Sequence, residues 1–248
     1  HITLSVTSDL LDFVFESMNS MKYGRASVSF ALLRKPFVDN LSVLEEILAD
    51  SKDFVARFFL DGAISAYDPS KRRRLSKDLI TSVCSQLKVS LLYADDVIHR
   101  MRYDKATGPS VYSYSNRALH IVTDDPNYRT TNANFNFVFS VDEDRRNYFE
   151  DYYLVVPVLL CYAAEVIDTI IERYINVPEL LTMRRFQRAL VIDRCHALIH
   201  SGKSTRRRSL IPIVSKAVKA ICERCGKENQ VHRSDCLFII EWDHWMCT

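Results

Sequence analysis

Val155-Val-Pro-Val-Leu-Leu-Cys-Tyr-Ala-Ala-Glu-Val-Ile-Asp-Thr-Ile-Ile171 carries two charged side chains, Glu165 and Asp168, in seventeen residues. Apolar residues fall on most sides of a helix drawn through it, which predicts a central buried helix within a segment running from about 147 to 175. The longest unbroken apolar run, Leu154 to Ala164, is short for a bilayer span and carries Pro157. A helix that must be buried needs other helices around it, so the predicted fold class is mainly α, a helical bundle.

Working outward toward the N-terminus, the apolar spacing keeps a helical period. Residues 8–22 form an amphipathic helix with Ser8 or Asp9 as its cap. Residues 24–49 are mostly helical, with Pro36 at a first-turn position or kink, and Val38, Leu41, Leu44, Ile47 and Leu48 on the inner face. Residues 52–67 continue as helix with Phe54, Val55, Phe58 and Phe59 inward, and Asp68-Pro69 stops it. One or two helices fill 75–98 through Leu79, Val83, Leu87 and Leu91. The pattern changes at 104–146, where Thr107-Gly-Pro109 breaks helix. Val111–Tyr114, Leu119–Val122 and Phe135–Phe139 alternate in a way that predicts an insertion of short strands. Its aromatic, Asn and Thr content suits either a packed lid or contacts to RNA bases.

Toward the C-terminus, Pro178 opens a helix that reaches about Ser201, with Gly202 as its cap, and a further helix covers 210–221. The expected organisation is a helical domain over 1–221 and a small element over 222–248. Hydrophobic residues make up 48% of the 248, enough for a real core, and five glycines argue against a glycine-rich nucleotide fold. No secretory leader is evident, so the expected compartment is the cytoplasm, with no membrane partner. Net charge is +2, but basic residues cluster at Lys71–Arg74, Arg184-Arg185 and Arg206-Arg207-Arg208. Clusters rather than net charge make a footprint for nucleic acid, although such runs are also ordinary solvated helix ends.

The run Val191-Ile-Asp-Arg-Cys-His-Ala-Leu-Ile-His200 places Arg194, His196 and His200 at the end of that apolar helix. Histidine exchanges protons near neutral pH, and arginine grips phosphate oxygens with paired donors. Arg194 and His200 stand about 120° apart around the axis and flank a groove rather than stack. Asp193, His196 and His200 share one stripe, which leaves a helix-borne metal site as a rival. A structural role for both histidines is the third reading.

The Arg194-x5-His200 pattern in a helical setting resembles the HEPN superfamily. That resemblance implies a bundle that dimerises, with the motifs of two protomers lining one cleft. It also implies metal-independent RNA cleavage of the kind found in bacterial toxins and antiviral effectors, with an antitoxin or defence-system partner. Arg194, His200 and His196 would be catalytic, and Arg206, Arg207 and Arg208 would hold flanking phosphates. The alternative is a non-catalytic helical module that binds nucleic acid or protein.

Of seven cysteines, Cys84, Cys161 and Cys195 lie in apolar helical settings and read as buried thiols. Cys222-Glu-Arg-Cys225-Gly226 has the spacing of a thiolate knuckle for structural zinc. His244-x2-Cys247 is the preferred second pair. His232 with Cys236, or Cys236 with Cys247, also reach four ligands. The arrangement resembles a zinc ribbon.

Overall fold

The computed structural model describes residues 1–72, 76–87, 94–105 and 109–175, with 184–185, 187–188, 219–221, 225 and 227–230. Among these, the chain is mainly helical. It divides into two compact units, His1–Ile170 and Ile171–Thr248.

In the first unit the expected central helix is present and longer than predicted: α10 spans Asp142–Glu172. Its thirty-one residues reach about 46 Å at the α-helical rise. Tyr152, Val155, Val156, Leu159, Tyr162, Ala163, Val166 and Ile170 are buried, so its apolar sides are covered as the sequence predicts. Pro157 sits inside it and forgoes one ladder bond. Length and hydropathy make α10 capable of crossing a membrane, and 67% of its most apolar window is buried inside the molecule. Counting only the unbroken apolar run understates it, because Glu165 interrupts the count but not the helix.

The same unit holds α1 (Ile2–Lys22), α2 (Ala26–Arg34), α3 (Leu41–Ala49), α7 (Ser76–Gln86), α8 (Asp95–Tyr103) and α9 (Val111–Leu119), of which α1, α2, α3 and α9 meet α10 through Ser17–Tyr152, Phe30–Tyr152, Glu45–Tyr162 and Tyr114–Asp151. Short helical pieces α4 (Ser51–Val55), α5 (Ile64–Tyr67) and α6 (Pro69–Arg72) lie between α3 and α7. In α1, Leu10, Val14, Ser17 and Met21 recur at helical spacing and form the buried stripe. Gly24 ends this helix at φ +72, a conformation open to glycine, and its N–H returns to the Met21 carbonyl at 2.8 Å.

Between α2 and α3 lies a π-helical turn, Lys35–Asn40, with Pro36 in it. Proline has no N–H to give, and a widened turn absorbs that loss without ending the rod. Phe37, Val38, Leu41, Leu44, Ile47 and Leu48 are all buried, in agreement with the inner face read from the sequence.

A second π-helical turn, Ala56–Asp61, follows α4. The extra residue in its turn rotates what comes after. Phe54 is buried and stacks on Phe58 at 5.8 Å, while Val55 and Phe59 face solvent, contrary to the inward expectation. Asp50 caps α4, its Oδ1 accepting the Lys52 and Asp53 N–H groups at 3.0 Å each. Asp50→Ala is expected to cost about 1 kcal/mol, read as a lowered midpoint in urea unfolding.

The segment expected to hold short strands contains none among its described residues. Val111–Tyr114 is the first turn of α9, started by Ser110, whose Oγ accepts the Ser113 N–H at 3.1 Å. Alternating serines mimic a strand period there, and the cap decides for helix. Leu119, Ile121 and Val122 are exposed, and Phe135–Phe139 is a turn with Phe137 at φ +63. What holds 120–141 is Asn136. Its amide donates to the His120 carbonyl and to Thr123 Oγ1 at 2.8 Å each, and its Oδ1 accepts from Thr130 Oγ1 at 2.9 Å.

Candidate functional site

Three groupings of polar residues emerge. The first is sealed in the core of the His1–Ile170 unit. Arg102 of α8 and Glu45 of α3 are 0% and 1% exposed and pair at 2.6 Å. Arg102 Nε donates to the Phe37 carbonyl inside the first π turn at 2.7 Å, and its Nη2 donates to Ser42 Oγ and the Tyr103 hydroxyl. The Tyr162 hydroxyl donates to the same Glu45 oxygen at 2.7 Å. Burial, then the Glu45 charge, pushes that phenol well above its usual range, so it stays a donor. Cys84 lies in the same field and is pushed up to about 12, chiefly by burial. A thiol that remains protonated and buried is inert. With its guanidinium satisfied at every nitrogen, this cluster is a pin between α3, α8 and α10 rather than a reaction centre. Sequence spacing offered no sign of it, since Arg102 and Glu45 stand fifty-seven residues apart.

The second grouping is a recess at the surface of the same unit. Arg117 of α9, Asp144 and Tyr148 of α10, and Thr130, Asn134 and Phe137 of the 120–141 segment line it. An aromatic cluster backs it: Phe30 stacks on Tyr114 at 4.4 Å, and Phe137 lies 4.7 Å from Tyr148. The Tyr114 hydroxyl donates to Asp151, whose carboxyl is pushed up by burial.

The third belongs to the Ile171–Thr248 unit. Strands β1 (Lys219–Ile221) and β2 (Glu228–Gln230) pair antiparallel, with Ile221 opposite Glu228. The chain between them is Cys222 to Lys227, the knuckle sequence, in which Cys225 is exposed in a turn. The sequence joining the strands is C-x2-C-G, the spacing read above as a thiolate knuckle. The strand over 219–221 replaces the end of the helix expected to reach 221.

Arg194, His196, His200, Arg206, Arg207, Arg208, Cys222, His244 and Cys247 lie outside the described residues, as do His232 and Cys236. Of the other basic clusters, Arg185 is held by Glu172 through paired bonds at 2.6 and 2.9 Å, which spends its fork inside the protein. Cys84 and Cys161 are buried thiols, as the sequence predicts.

Fold and sites together define a mainly helical protein with a cysteine-bearing hairpin. The chain matches no protein-family model, no curated protein and no solved structure.

Proposed function

We propose that the chain is a metal-independent endoribonuclease of HEPN type, acting in the cytoplasm as a homodimer. The observation that carries this reading is the Arg194-x5-His200 spacing in a mainly helical chain, with Arg206, Arg207 and Arg208 close behind in sequence. Neutral His200 takes the proton from a ribose 2′-hydroxyl. The freed oxygen attacks the adjacent phosphorus, and Arg194 neutralises the charge that builds on the phosphoryl oxygens. His196 returns a proton to the departing 5′-oxygen. The products are a 2′,3′-cyclic phosphate and a 5′-hydroxyl, so DNA is not cut. Cleavage of single-stranded RNA in excess EDTA, lost in His200→Ala, tests it. The toxin and antiviral settings of the family make an antitoxin or defence-system protein the expected partner.

A second reading is a non-catalytic nucleic-acid-binding module. Cys195 favours it, since the family most often places Asn, Asp or His directly after the arginine. RNA binding without turnover would establish it.

Structural zinc on Cys222, Cys225, His244 and Cys247 completes the proposal, supported by the hairpin that brackets the first pair. Four protein ligands leave no open position, so this metal would stabilise the fold and take no part in cleavage. Purified protein is expected to hold one zinc per chain by elemental analysis, and Cys225→Ser to lose it. After chelation, iodoacetamide is expected to label Cys225 while native Cys84 and Cys161 stay unmodified. A metal-free parent, or labelling indifferent to chelator, would count against the site.

A further inference from the structure

Leu60 and Ile64, 83% and 72% exposed, are the two most exposed large hydrophobics among the described residues. They flank one chain reversal at Gly62, which takes φ +68 and donates its N–H to the Arg57 carbonyl at 3.2 Å. Every residue from Phe59 to Ser65 is exposed there, Phe59 by 63%. Single exposed hydrophobics are ordinary, but three large ones at one loop tip mark an interaction surface. The tip is braced. Arg57 donates to Asp53, to Glu46 and to the Ala66 carbonyl at 2.8 Å each, which ties the π turn to α5. A tip already held in shape loses little freedom when it inserts into a partner.

Charge decides what that partner is. Lys71-Arg72-Arg73-Arg74 begins seven residues after Ile64, and Lys71 is exposed. Pro69, at the start of α6, and Phe58, inside the π turn, line the same apolar groove of about 450 Å³ with Ile2, Val6, Phe54 and Tyr67. The basic run therefore starts beside the apolar tip. An anionic bilayer takes this combination: its headgroups attract the cations while projecting apolar side chains enter the acyl boundary. A folded acidic partner would need a pocket shaped for Leu60, whereas a bilayer accepts a convex tip of any shape. Asp61, the one charged residue in the exposed run, opposes that attraction.

We propose that the tip from Phe59 to Ile64 docks the protein on an anionic membrane surface, with Leu60 and Ile64 in the acyl boundary and Lys71–Arg74 at the headgroups. This goes beyond the ribonuclease reading and does not rest on it. A peripheral contact needs neither a leader nor a spanning helix, and the expectation of no membrane partner rested on those alone. The test floats the full chain with vesicles of phosphatidylcholine, alone or mixed with phosphatidylserine, across a lipid titration. The parent is expected to float with the mixed vesicles and to stay behind with the neutral ones. Leu60→Ser is expected to weaken binding by about tenfold or more. Lys71→Gln is expected to weaken it about fivefold, and Asp61→Asn to strengthen it by about the same factor. All three positions are exposed, so the variants should melt with the parent, and Phe59→Ser serves if Leu60→Ser does not. A parent that floats with neither vesicle, or equally with both, would overturn the proposal. So would a Leu60→Ser variant that floats like the parent. A dimer that falls apart in Leu60→Ser with no vesicle binding in the parent would assign the tip to a second copy instead. Vesicle binding by a chain that cuts no RNA would leave the docking surface standing and remove the ribonuclease reading alone.

Discussion

His200→Ala is expected to lower RNA cleavage by about 10²–10⁴-fold, the range for removing a positioned general base. Phosphodiester cleavage through the 2′-oxygen begins with a proton that must go somewhere, and a neutral imidazole near its own pKa is the most efficient acceptor at neutral pH. Arg194→Lys should fall nearly as far, because an ammonium keeps the charge and loses the paired donors that follow two phosphoryl oxygens. Both variants should melt with the parent. A 2′-deoxy substrate should be inert, and cleavage should persist in EDTA under conditions where the chain stays folded. Full activity in His200→Ala would sink the ribonuclease reading. Activity that vanishes in chelator and returns with a divalent ion would point instead to Asp193, His196 and His200 as a metal site.

Arg102→Met is expected to cost about 3–5 kcal/mol of folding stability, the second large effect, because it leaves a buried charge without its partner. Glu45 would keep only the Tyr162 hydroxyl at 2.7 Å, and the Phe37 carbonyl in the π turn would lose the Nε donor at 2.7 Å. Urea unfolding should show the loss as a midpoint lowered by about 2 M at an unchanged slope. The double change Arg102→Met with Glu45→Leu removes both charges and should recover much of the loss, a coupling that a double-mutant cycle reads directly. A single variant that melts with the parent would show that Arg102 does not pin α3 to α8.

The two expectations differ in where they came from. His200 was legible as a residue type at a spacing, within ten residues of sequence. Arg102 was not, because nothing near it in the chain names Glu45 as its partner. The same holds for the recess: the aromatic and Asn content of 120–141 marked it for either a lid or base contacts, but Arg117 and Asp144 come to line it only through the packing of α9 and α10. The strands expected at Val111–Tyr114 failed for a local reason, a serine cap that outweighs a two-residue alternation. The inward face of Phe59 failed for a geometric one, since a π turn adds a residue and breaks the 3.6 period on which the face was drawn, while Val55, ahead of that turn, is exposed because its neighbour Phe54 takes the buried side.

By itself the sequence determined what depends on near neighbours: the helical class, the buried side of α10, the inner face from Val38 to Leu48, the buried thiols at Cys84 and Cys161, and the C-x2-C spacing. Tertiary structure decided what depends on distant ones: which carboxylate neutralises Arg102, which acidic residue spends Arg185, where the helical register slips, and that Phe59, Leu60 and Ile64 are left in solvent. Helical periodicity is local and survives in the order of residues. The partner of a buried charge is set by how helices cross, and that order carries no record of it.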